Sequence, residues 1–503
     1  MNYEKIPLII VLYQKLSLDY NFMHLARKIA YNTVVQAAGK IAGTVLGLVA
    51  IAMITRYLGQ FGFGQYTTII TLLSFFAILA DLGLTLVTVQ MISRPGIDES
   101  RMLGNLLSLR LVSAVILLGL APLSVFFFPY DPEIKAGVAI TSLSFLFIAL
   151  NQVLVGLFQK HLRMDKVSVA EVSGRIVLLF GVILVIRQDG GLFGIMLVTV
   201  FSSFVNFGLH YVFSRSLSRI KLVFDFTVWK DIIVRSWPLA LTIVFNLIYL
   251  KADTLLLSLI KRPSEIGIIA EVGLYGAAYK VIDVLITFPF MFAGIVLPIM
   301  TARWMEKNYD GFAVIMQKSF DLLSVLTIPF VVGAQFLAQD IMVFVAGNDF
   351  APSGPILKIL IGAAGFIFLG NIFAHAVIAI DKQKKIIGAY AFTAVTALMG
   401  YWLFIPRFSY FGAAWMTIYS EAAIALASLY LVRKYTGFFP VLGRTLKAIM
   451  AAGIMALSLL ALRISGYDNL LLALSLSVVV YFGSLYVLKG ITKEEISELL
   501  RKQ

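Results

Sequence analysis

Cysteine is absent from this 503-residue chain, and charged residues are scarce at 14%. Without cysteine the chain can form no disulfide, has no thiol nucleophile and cannot bind a metal through sulfur. Soluble domains carry about 25% charged residues, so a soluble fold of this size could not cover its apolar residues with charge. The two shortages exclude a disulfide-rich scaffold and argue against a soluble enzyme.

The motifs of common enzyme classes are missing too. The chain has no P-loop, no His-Glu-x-x-His and no Gly-x-Ser-x-Gly sequence, and its four histidines are scattered. The predicted outer loops are too short for the acceptor domain of a membrane glycosyltransferase or polymerase. We therefore predict no enzymatic activity, no catalytic residue, no cofactor and no metal site, and expect a transporter or channel.

Hydrophobic residues, by contrast, make up 60% of the chain, and its mean hydropathy is +0.93. This is enough to fill roughly 14 transmembrane helices of about 20 residues each. The chain is therefore predicted to be an all-α, polytopic membrane protein, which excludes a single-span receptor. Its net charge of +14, from 41 basic and 27 acidic residues, is attributed to cytoplasmic loops rather than to nucleic-acid binding.

Apolar windows of about 19 residues or more predict the spanning helices. They lie at residues 32–55, 66–93, 103–127, 136–159, 168–187, 190–213, 236–259, 272–301, 319–345, 354–380, 386–405, 410–432, 443–463 and 468–488. With a cytoplasmic N-terminus, the inner segments carry roughly four times as many Lys and Arg residues as the outer loops. We therefore expect a multi-pass protein of the cell membrane with both termini in the cytoplasm.

The longest internal segment outside the predicted spans divides six helices from eight. The predicted organisation is an N-terminal extension and basic segment (1–31), a first six-helix bundle (32–213), a basic linker (214–235), a second six-helix bundle (236–432), two further helices (433–488) and a cytoplasmic tail (489–503). The linker is interpreted as a spacer between bundles, as a loop on the lipid headgroups, or as both. Residues 1–22 are expected to be dispensable.

Charged residues inside the predicted spans are the main candidates for function, because they are costly in hydrocarbon and usually face a cavity or a partner. The first half contains Lys40, Asp81, Arg110, Glu171 and Arg175, and the second contains Lys251, Asp253, Lys280, Asp283, Lys358 and Glu421. Three of them lie near a span end and are expected to reach water by snorkelling. These three are Arg110, Glu171 and Lys358.

In the first half, Lys40, Asp81 and Arg175 predict a polar interior that binds substrate. Two structural pairs are the alternative: Lys40 with Asp81, and Glu171 with Arg175 at i,i+4 on one helix face. A stripe of glycines on the first span, Gly39, Gly43 and Gly47, predicts close helix packing rather than a ligand site.

In the second half, Lys251, Asp253, Lys280 and Asp283 lie at similar depth on adjacent spans, which predicts an ion network. We expect Asp253 and Lys280 to form an ion pair, which either fastens the two helices or belongs to a coupling site. Glu421 lies alone near the middle of the twelfth span. A lone buried carboxyl group is a candidate protonation site, and a hydrogen-bonded packing residue is the alternative.

Several short motifs occur in a recognisable order. They are RYLG (56–59), GFGQY (62–66), ADLGL (80–84), ADTLLL (252–257), GLYGAAYK (273–280), LP (297–298), GAAW (412–415) and SE (420–421). Together they resemble the polysaccharide biosynthesis flippases of the MOP exporter superfamily, across nearly all of residues 27–488. Each motif is weak, but their order and spacing are fairly specific.

The resemblance implies two six-helix bundles around a central cavity, with two additional C-terminal helices. It also implies transport of polyprenyl-(pyro)phosphate-linked oligosaccharide from the inner to the outer leaflet by alternating access. The partners to expect are the bilayer, the lipid-linked glycan, H⁺ or Na⁺ as coupling ion, and a glycan polymerase or glycosyltransferases. A multidrug or cation antiporter of the same superfamily is the alternative, and a membrane glycosyltransferase or ligase is a more distant one.

Overall fold

The computed structural model describes residues 6–491, except 82, 95, 219, 467 and 468. Side chains are described from Tyr31 onward, with further gaps at 33, 86, 238, 239, 241–243, 246, 247, 249 and 250. Residues 1–5 of the segment predicted to be dispensable (1–22) and residues 492–503 of the predicted tail (489–503) lie outside the described part.

All regular secondary structure in the described residues is helical, which confirms the predicted all-α polytopic fold. The α-helices are α1 (Ile6–Asp81), α2 (Leu84–Ile92), α3 (Glu99–Ser124), α4 (Pro132–Lys160), α5 (Met164–Arg187), α6 (Gly191–Ser214), α7 (Phe226–Leu259), α8 (Ile268–Leu285), α9 (Thr287–Met305), α10 (Tyr309–Ala346), α11 (Ser353–Ala379), α12 (Gln383–Thr436), α13 (Gly443–Ile464) and α14 (Leu470–Val487). By length and composition, 11 helical stretches among the described residues could cross a membrane.

Two of these stretches each join two predicted spans, in whole or in part, at a sharp kink. Val34–Asp81 has 48 residues and Gln383–Thr436 has 54, so each is roughly twice as long as the ~30 Å hydrocarbon core requires. The kinks are at Gly59, with φ 64°, and at Ser409, with φ 50°. Glycine adopts this left-handed conformation without penalty, whereas Ser409 needs support from its surroundings.

Two predicted spans are broken into shorter helices. The eighth span divides between α8 and α9 at Ile286, because Pro289 in the first turn of α9 has no N–H to continue the helical ladder. The second span ends at Asp81 and resumes at Leu84 after Gly83, whose φ is 73°. A Cβ on Gly83 would also lie 2.7 Å from the carbonyl oxygen of Ser236, so this position requires glycine on two grounds.

The chain forms two compact units. Unit 1 contains the described residues up to Ile51 together with Leu73–Leu241, and unit 2 contains Ala52–Leu72 together with the chain from Thr242 onward. The core of unit 1 joins α2, α3, α4 and the first turns of α7. The core of unit 2 joins α9, α10, α11 and α12, and α13 and α14 pack against α10.

The predicted basic linker is only partly a linker. Residues 226–235 are the first turns of α7, so the connecting segment is shorter than 214–235. It runs extended along the start of α3, where Val223 N–H donates to Gly104 O at 3.4 Å and Asp225 N–H donates to Asn105 Oδ1 at 3.0 Å. The hydrogen bond from Arg101 lowers the pKa of Asp225, with help from the N–H groups of Val228 and Thr227.

Segment Ala52–Leu72 packs on α8 within unit 2, with backbone against backbone. A Cβ on Gly64 would overlap the carbonyl oxygen of Ile269, and a Cβ on Gly273 would overlap that of Gln60. Glycine at both positions therefore permits a helix approach that no other residue allows.

We expect Gly273→Ala to lower the melting temperature of the purified protein, because the added methyl forces the two backbones apart. Overpacking of this kind typically costs about 1–3 kcal/mol. Gly294→Ala on α9 is the matched control, since nothing lies within 4 Å of the position of its Cβ and alanine favours a helix over glycine. Equal melting temperatures for the two variants would contradict the close packing.

Candidate functional site

Lys40 and Arg175 lie on two helices of unit 1 that run side by side in the same direction. Asn32 Oδ1 on α1 accepts from Met164 N–H at the start of α5 at 2.8 Å, and Ser168 Oγ donates to Val35 O at 3.2 Å. Parallel α1 and α5 agree with the predicted topology, in which both spans start on the cytoplasmic side.

The glycine stripe of α1 does two things along this contact. Gly39 touches Ser168, where a Cβ would lie 2.5 Å from Ser168 Oγ. Gly43 and Gly47 instead leave room for the Arg175 side chain, whose Nη1 lies 3.6 Å from the position of a Cβ on Gly47. The stripe therefore packs helices at one end and accommodates a guanidinium group at the other.

Both cations are exposed in unit 1 and have no carboxylate partner among the described residues. Lys40 and Arg175 are exposed side chains, and within the described residues neither takes part in an ion pair. The alternative pairs, Lys40 with Asp81 and Arg175 with Glu171, are therefore not formed. Two unpaired positive charges remain available in a membrane-spanning region.

Asp81 is paired with Arg110 instead, so the prediction that Arg110 snorkels to water is wrong. The side chain of Arg110 is 2% exposed, and its Nη1 lies 2.6 Å from Asp81 Oδ1. It also donates to Ala80 O, Ala149 O and Gln152 Oε1. Because α1 ends at Asp81, the carbonyl of Ala80 lacks a helical N–H partner, and Arg110 Nη1 and Ser113 Oγ both donate to it.

In unit 2 the predicted ion network divides into two separate groups. Asp283 lies 3.5 Å from Lys251 Nζ and 3.4 Å from Lys280 Nζ. Asp253 is fully buried and accepts from Tyr275 OH at 2.6 Å. The predicted pair of Asp253 with Lys280 is therefore wrong: residues two apart on a helix point to different faces, and Asp253 does not share the face of Lys251.

Glu421 is buried in unit 2, 7% exposed, and its Oε1 has no hydrogen-bond partner. Thr417, one helical turn before Glu421 on α12, lies 3.3 Å from Asp253 Oδ2. Both acids therefore lie near the contact between α7 and α12, which the sequence alone did not indicate.

One polar cluster was missed because its arginine lies outside every predicted span. Arg262, between α7 and α8, donates Nε–H to Glu271 Oε2 at 2.8 Å and to Ser409 Oγ at 3.0 Å. Burial lowers the pKa of Arg262, while Glu271 opposes that shift. The cluster ties the α7–α8 connection to the kink in α12 and holds Ser409 in its left-handed conformation. The signal in the sequence was Glu271, an acid in the first turn of α8 that lies nine residues after Arg262. It could have indicated the partner of this arginine.

The fold is that of a polytopic, all-α membrane protein. The chain belongs to the polysaccharide biosynthesis protein family, whose match covers residues 26–304. This bears out the resemblance that the short motifs indicated. No curated protein matches the chain by sequence.

Solved structures share the fold at low identity. The lipid II flippase MurJ in an inward closed conformation is 16% identical, with a TM-score of 0.73 over 90% of this chain and 98% of its own. An inward-facing multidrug resistance MATE family transporter of the MOP superfamily is 14% identical, with a TM-score of 0.62 over 80% and 98%. A Vibrio cholerae MATE transporter is 12% identical, with a TM-score of 0.54 over 82% and 98%.

Proposed function

We propose that this protein is a flippase that moves polyprenyl-(pyro)phosphate-linked oligosaccharide from the inner to the outer leaflet of the cytoplasmic membrane by alternating access. Membership of the polysaccharide biosynthesis family supports the glycan substrate. In this proposal both termini are cytoplasmic and the protein catalyses no covalent reaction. Glycosyltransferases supply the lipid-linked glycan before transport, and a polymerase uses it afterwards.

The proposal rests on Lys40 and Arg175 of unit 1, two cations that form no ion pair within the described residues. A guanidinium group can bind a phosphate through two parallel hydrogen bonds, and an ammonium group adds a point charge. Both lie in the half of their helices nearer the cytoplasm, where a headgroup from the inner leaflet would enter. The proposed phosphate site does not include Asp81, which is itself an anion and is paired with Arg110.

A superfamily antiporter for multidrug or cationic substrates is the second candidate. The buried carboxyl of Glu421, whose Oε1 has no hydrogen bond within the described residues, favours it, since an acid of this kind can couple ion movement to substrate movement. Lys40 and Arg175 oppose it, because unpaired cations repel a cationic substrate.

Reconstitution separates the two candidates. Purified protein in proteoliposomes is expected to move a defined, labelled lipid-linked oligosaccharide between leaflets. The movement is measured as the fraction of labelled lipid that is degraded by a membrane-impermeant enzyme outside the vesicles. Protein-free vesicles are the control. Movement of an organic cation dye with no lipid movement would favour the antiporter, and no movement of either would contradict both.

A further inference from the structure

A dense basic patch lies where the two ends of α12 meet in unit 2. Helix α12 bends sharply at Ser409, and Lys382 Nζ lies 5.2 Å from the centre of the Tyr435 ring, so the two ends of the helix are neighbours. Because α12 is long enough to cross the membrane twice, the chain leaves the membrane at this level. The basic patch consists of Lys382, Lys384, Lys385, Arg433 and Lys434.

The positive charge of the basic patch is not compensated within the described residues. Asp381 is the one acid in segments 381–386 and 430–439, and none of the five cations forms an ion pair in the described part of the chain. By contrast, Arg444 at the start of α13 lies 3.7 Å from Asp321 Oδ2. Five bases and one acid give the patch a net charge of +4, and like charges this close repel one another.

Helix stability does not explain the basic patch. Cations stabilise the last turn of a helix and destabilise the first, yet the first turn of α12 contains Lys384 and Lys385 and no acid. A cytoplasmic location accounts for basic residues in general, but it does not require five of them on two adjoining turns. An anion that binds several of these side chains at once would offset their repulsion.

Aromatic rings hold the cations of the last turn at the surface. Arg433 Cζ lies 5.1 Å from the centre of the Phe439 ring, and Lys434 Nζ lies 5.8 Å from that of Tyr430. A ring attracts a cation without neutralising it. Phe439 and Tyr430 are 51% and 61% exposed, so the patch presents an apolar surface beside its charges. Exposed aromatic rings next to basic side chains are typical of the headgroup region of a membrane.

We propose that the basic patch binds the phosphate headgroups of anionic phospholipids in the cytoplasmic leaflet, and that these headgroups hold the two ends of α12 together. The predicted topology places this end of unit 2 at the cytoplasmic leaflet, whose surface is negatively charged. The exposed rings favour a lipid over free phosphate, which would leave them uncovered. The site goes beyond the proposed function and does not depend on what the protein transports.

The cations of the patch differ in how they can hold a phosphate. Arg433 can form two parallel hydrogen bonds to one phosphate group, whereas each lysine adds a point charge. A basic side chain close to an anionic membrane surface strengthens the association roughly fivefold. The preference for anionic lipid should therefore depend on the cations of this patch and not on the total charge of the chain.

The absence of cysteine permits a site-specific test on the full chain. A fluorophore is attached at Val441→Cys, an exposed position two residues after Phe439, and the protein is reconstituted in mixed phosphatidylcholine and phosphatidylglycerol vesicles. We expect brominated phosphatidylglycerol to quench the fluorophore more than brominated phosphatidylcholine at the same mole fraction. A fluorophore at Ile266→Cys, exposed in the α7–α8 connection at the opposite end of unit 2, should show no such preference.

Equal quenching by the two lipids at Val441→Cys would overturn the lipid site and leave an acidic protein surface as the partner of the patch. An equal preference for phosphatidylglycerol at Val441→Cys and Ile266→Cys would also overturn it, because the lipid would then follow the charge of the whole chain.

Charge removal tests the residues of the patch. Arg433→Gln combined with Lys434→Gln should lower the preference for phosphatidylglycerol at the Val441→Cys fluorophore by up to roughly 25-fold, fivefold for each cation. Arg303→Gln combined with Lys307→Gln is the matched control, because it removes the same two charges from the turn between α9 and α10. Melting curves verify folding. Equal losses in the two double variants would refute the patch as the binding site.

Two measurements on the wild-type sequence need no charge removal. Inorganic phosphate at constant ionic strength should leave the preference for phosphatidylglycerol unchanged, and its loss would replace the lipid with a free-phosphate site. The melting temperature should be higher in vesicles that contain phosphatidylglycerol than in pure phosphatidylcholine. Equal melting temperatures would contradict the claim that bound headgroups hold the ends of α12 together. No readout involves transport, so failure of the flippase proposal would leave these results unaffected.

Discussion

Replacing Arg110 with alanine is expected to lower the free energy of unfolding by about 3–5 kcal/mol, as removal of one partner of a buried ion pair does. The change leaves the Asp81 carboxylate, 7% exposed, without its cation. It also removes the Arg110 hydrogen bonds to Ala80 O and Ala149 O, although Ser113 Oγ still donates to Ala80 O at 2.9 Å. Thermal unfolding of the purified protein in detergent measures the effect.

A double-mutant cycle separates the ion pair from the side-chain volume. Asp81→Asn and Arg110→Gln each leave one charge uncompensated, whereas the double variant leaves none, so it should be more stable than the sum of the single effects predicts. Arg303→Ala is the control, because its pair with Glu306 is exposed on both sides and should contribute about 0–1 kcal/mol. Equal losses in the free energy of unfolding for Arg110→Ala and Arg303→Ala would contradict the buried ion pair.

Composition and hydropathy were sufficient to predict the helical, polytopic fold, because long apolar windows have few structural alternatives. The breaks in the helices were harder to foresee. Pro289 marks the division between α8 and α9 in the sequence itself. The break near Ser409 was predicted, since one predicted span ends at 405 and the next begins at 410. The local backbone was not predicted, because a serine with φ 50° is held there by contacts with Glu271 and Arg262.

The partners of charged residues were predicted less well than their positions. Depth along a span can be counted, but it does not say which way a side chain points. Arg110 was placed near water by depth and is buried against Asp81. Asp253 and Lys280 have similar depth, yet they belong to different groups. Ion pairs between helices depend on rotation and packing, which a single sequence does not contain.

Segment Ala52–Leu72 shows the same limit at the level of domains. It lies within the first predicted bundle by sequence, yet it belongs to the second unit by packing. Gly64 and Gly273 permit that packing, but each glycine alone is uninformative. Only their contacts with Ile269 and Gln60 reveal the reason for them.

Lys40→Ala and Arg175→Ala are each expected to reduce transport severely while leaving the melting temperature nearly unchanged. Charge-assisted hydrogen bonds are worth about 1.5–3 kcal/mol, so each loss should weaken the apparent affinity for the lipid phosphate roughly 10- to 100-fold. Stability should not change, because neither residue forms an ion pair in the described part of the chain. Transport per folded molecule and melting temperature are measured on the same preparations.

Arg175→Lys refines the test, since lysine keeps the charge and loses the planar, two-pronged contact with phosphate. Transport per folded molecule by Arg175→Lys should fall between that of the wild type and that of Arg175→Ala. Arg187→Ala is the matched control, because Arg187 is an exposed arginine in the last turn of the same helix. If Arg175→Ala lowers the melting temperature and leaves transport at the level of Arg187→Ala, the guanidinium over Gly43 and Gly47 is a packing element. Phosphate recognition must then come from other residues.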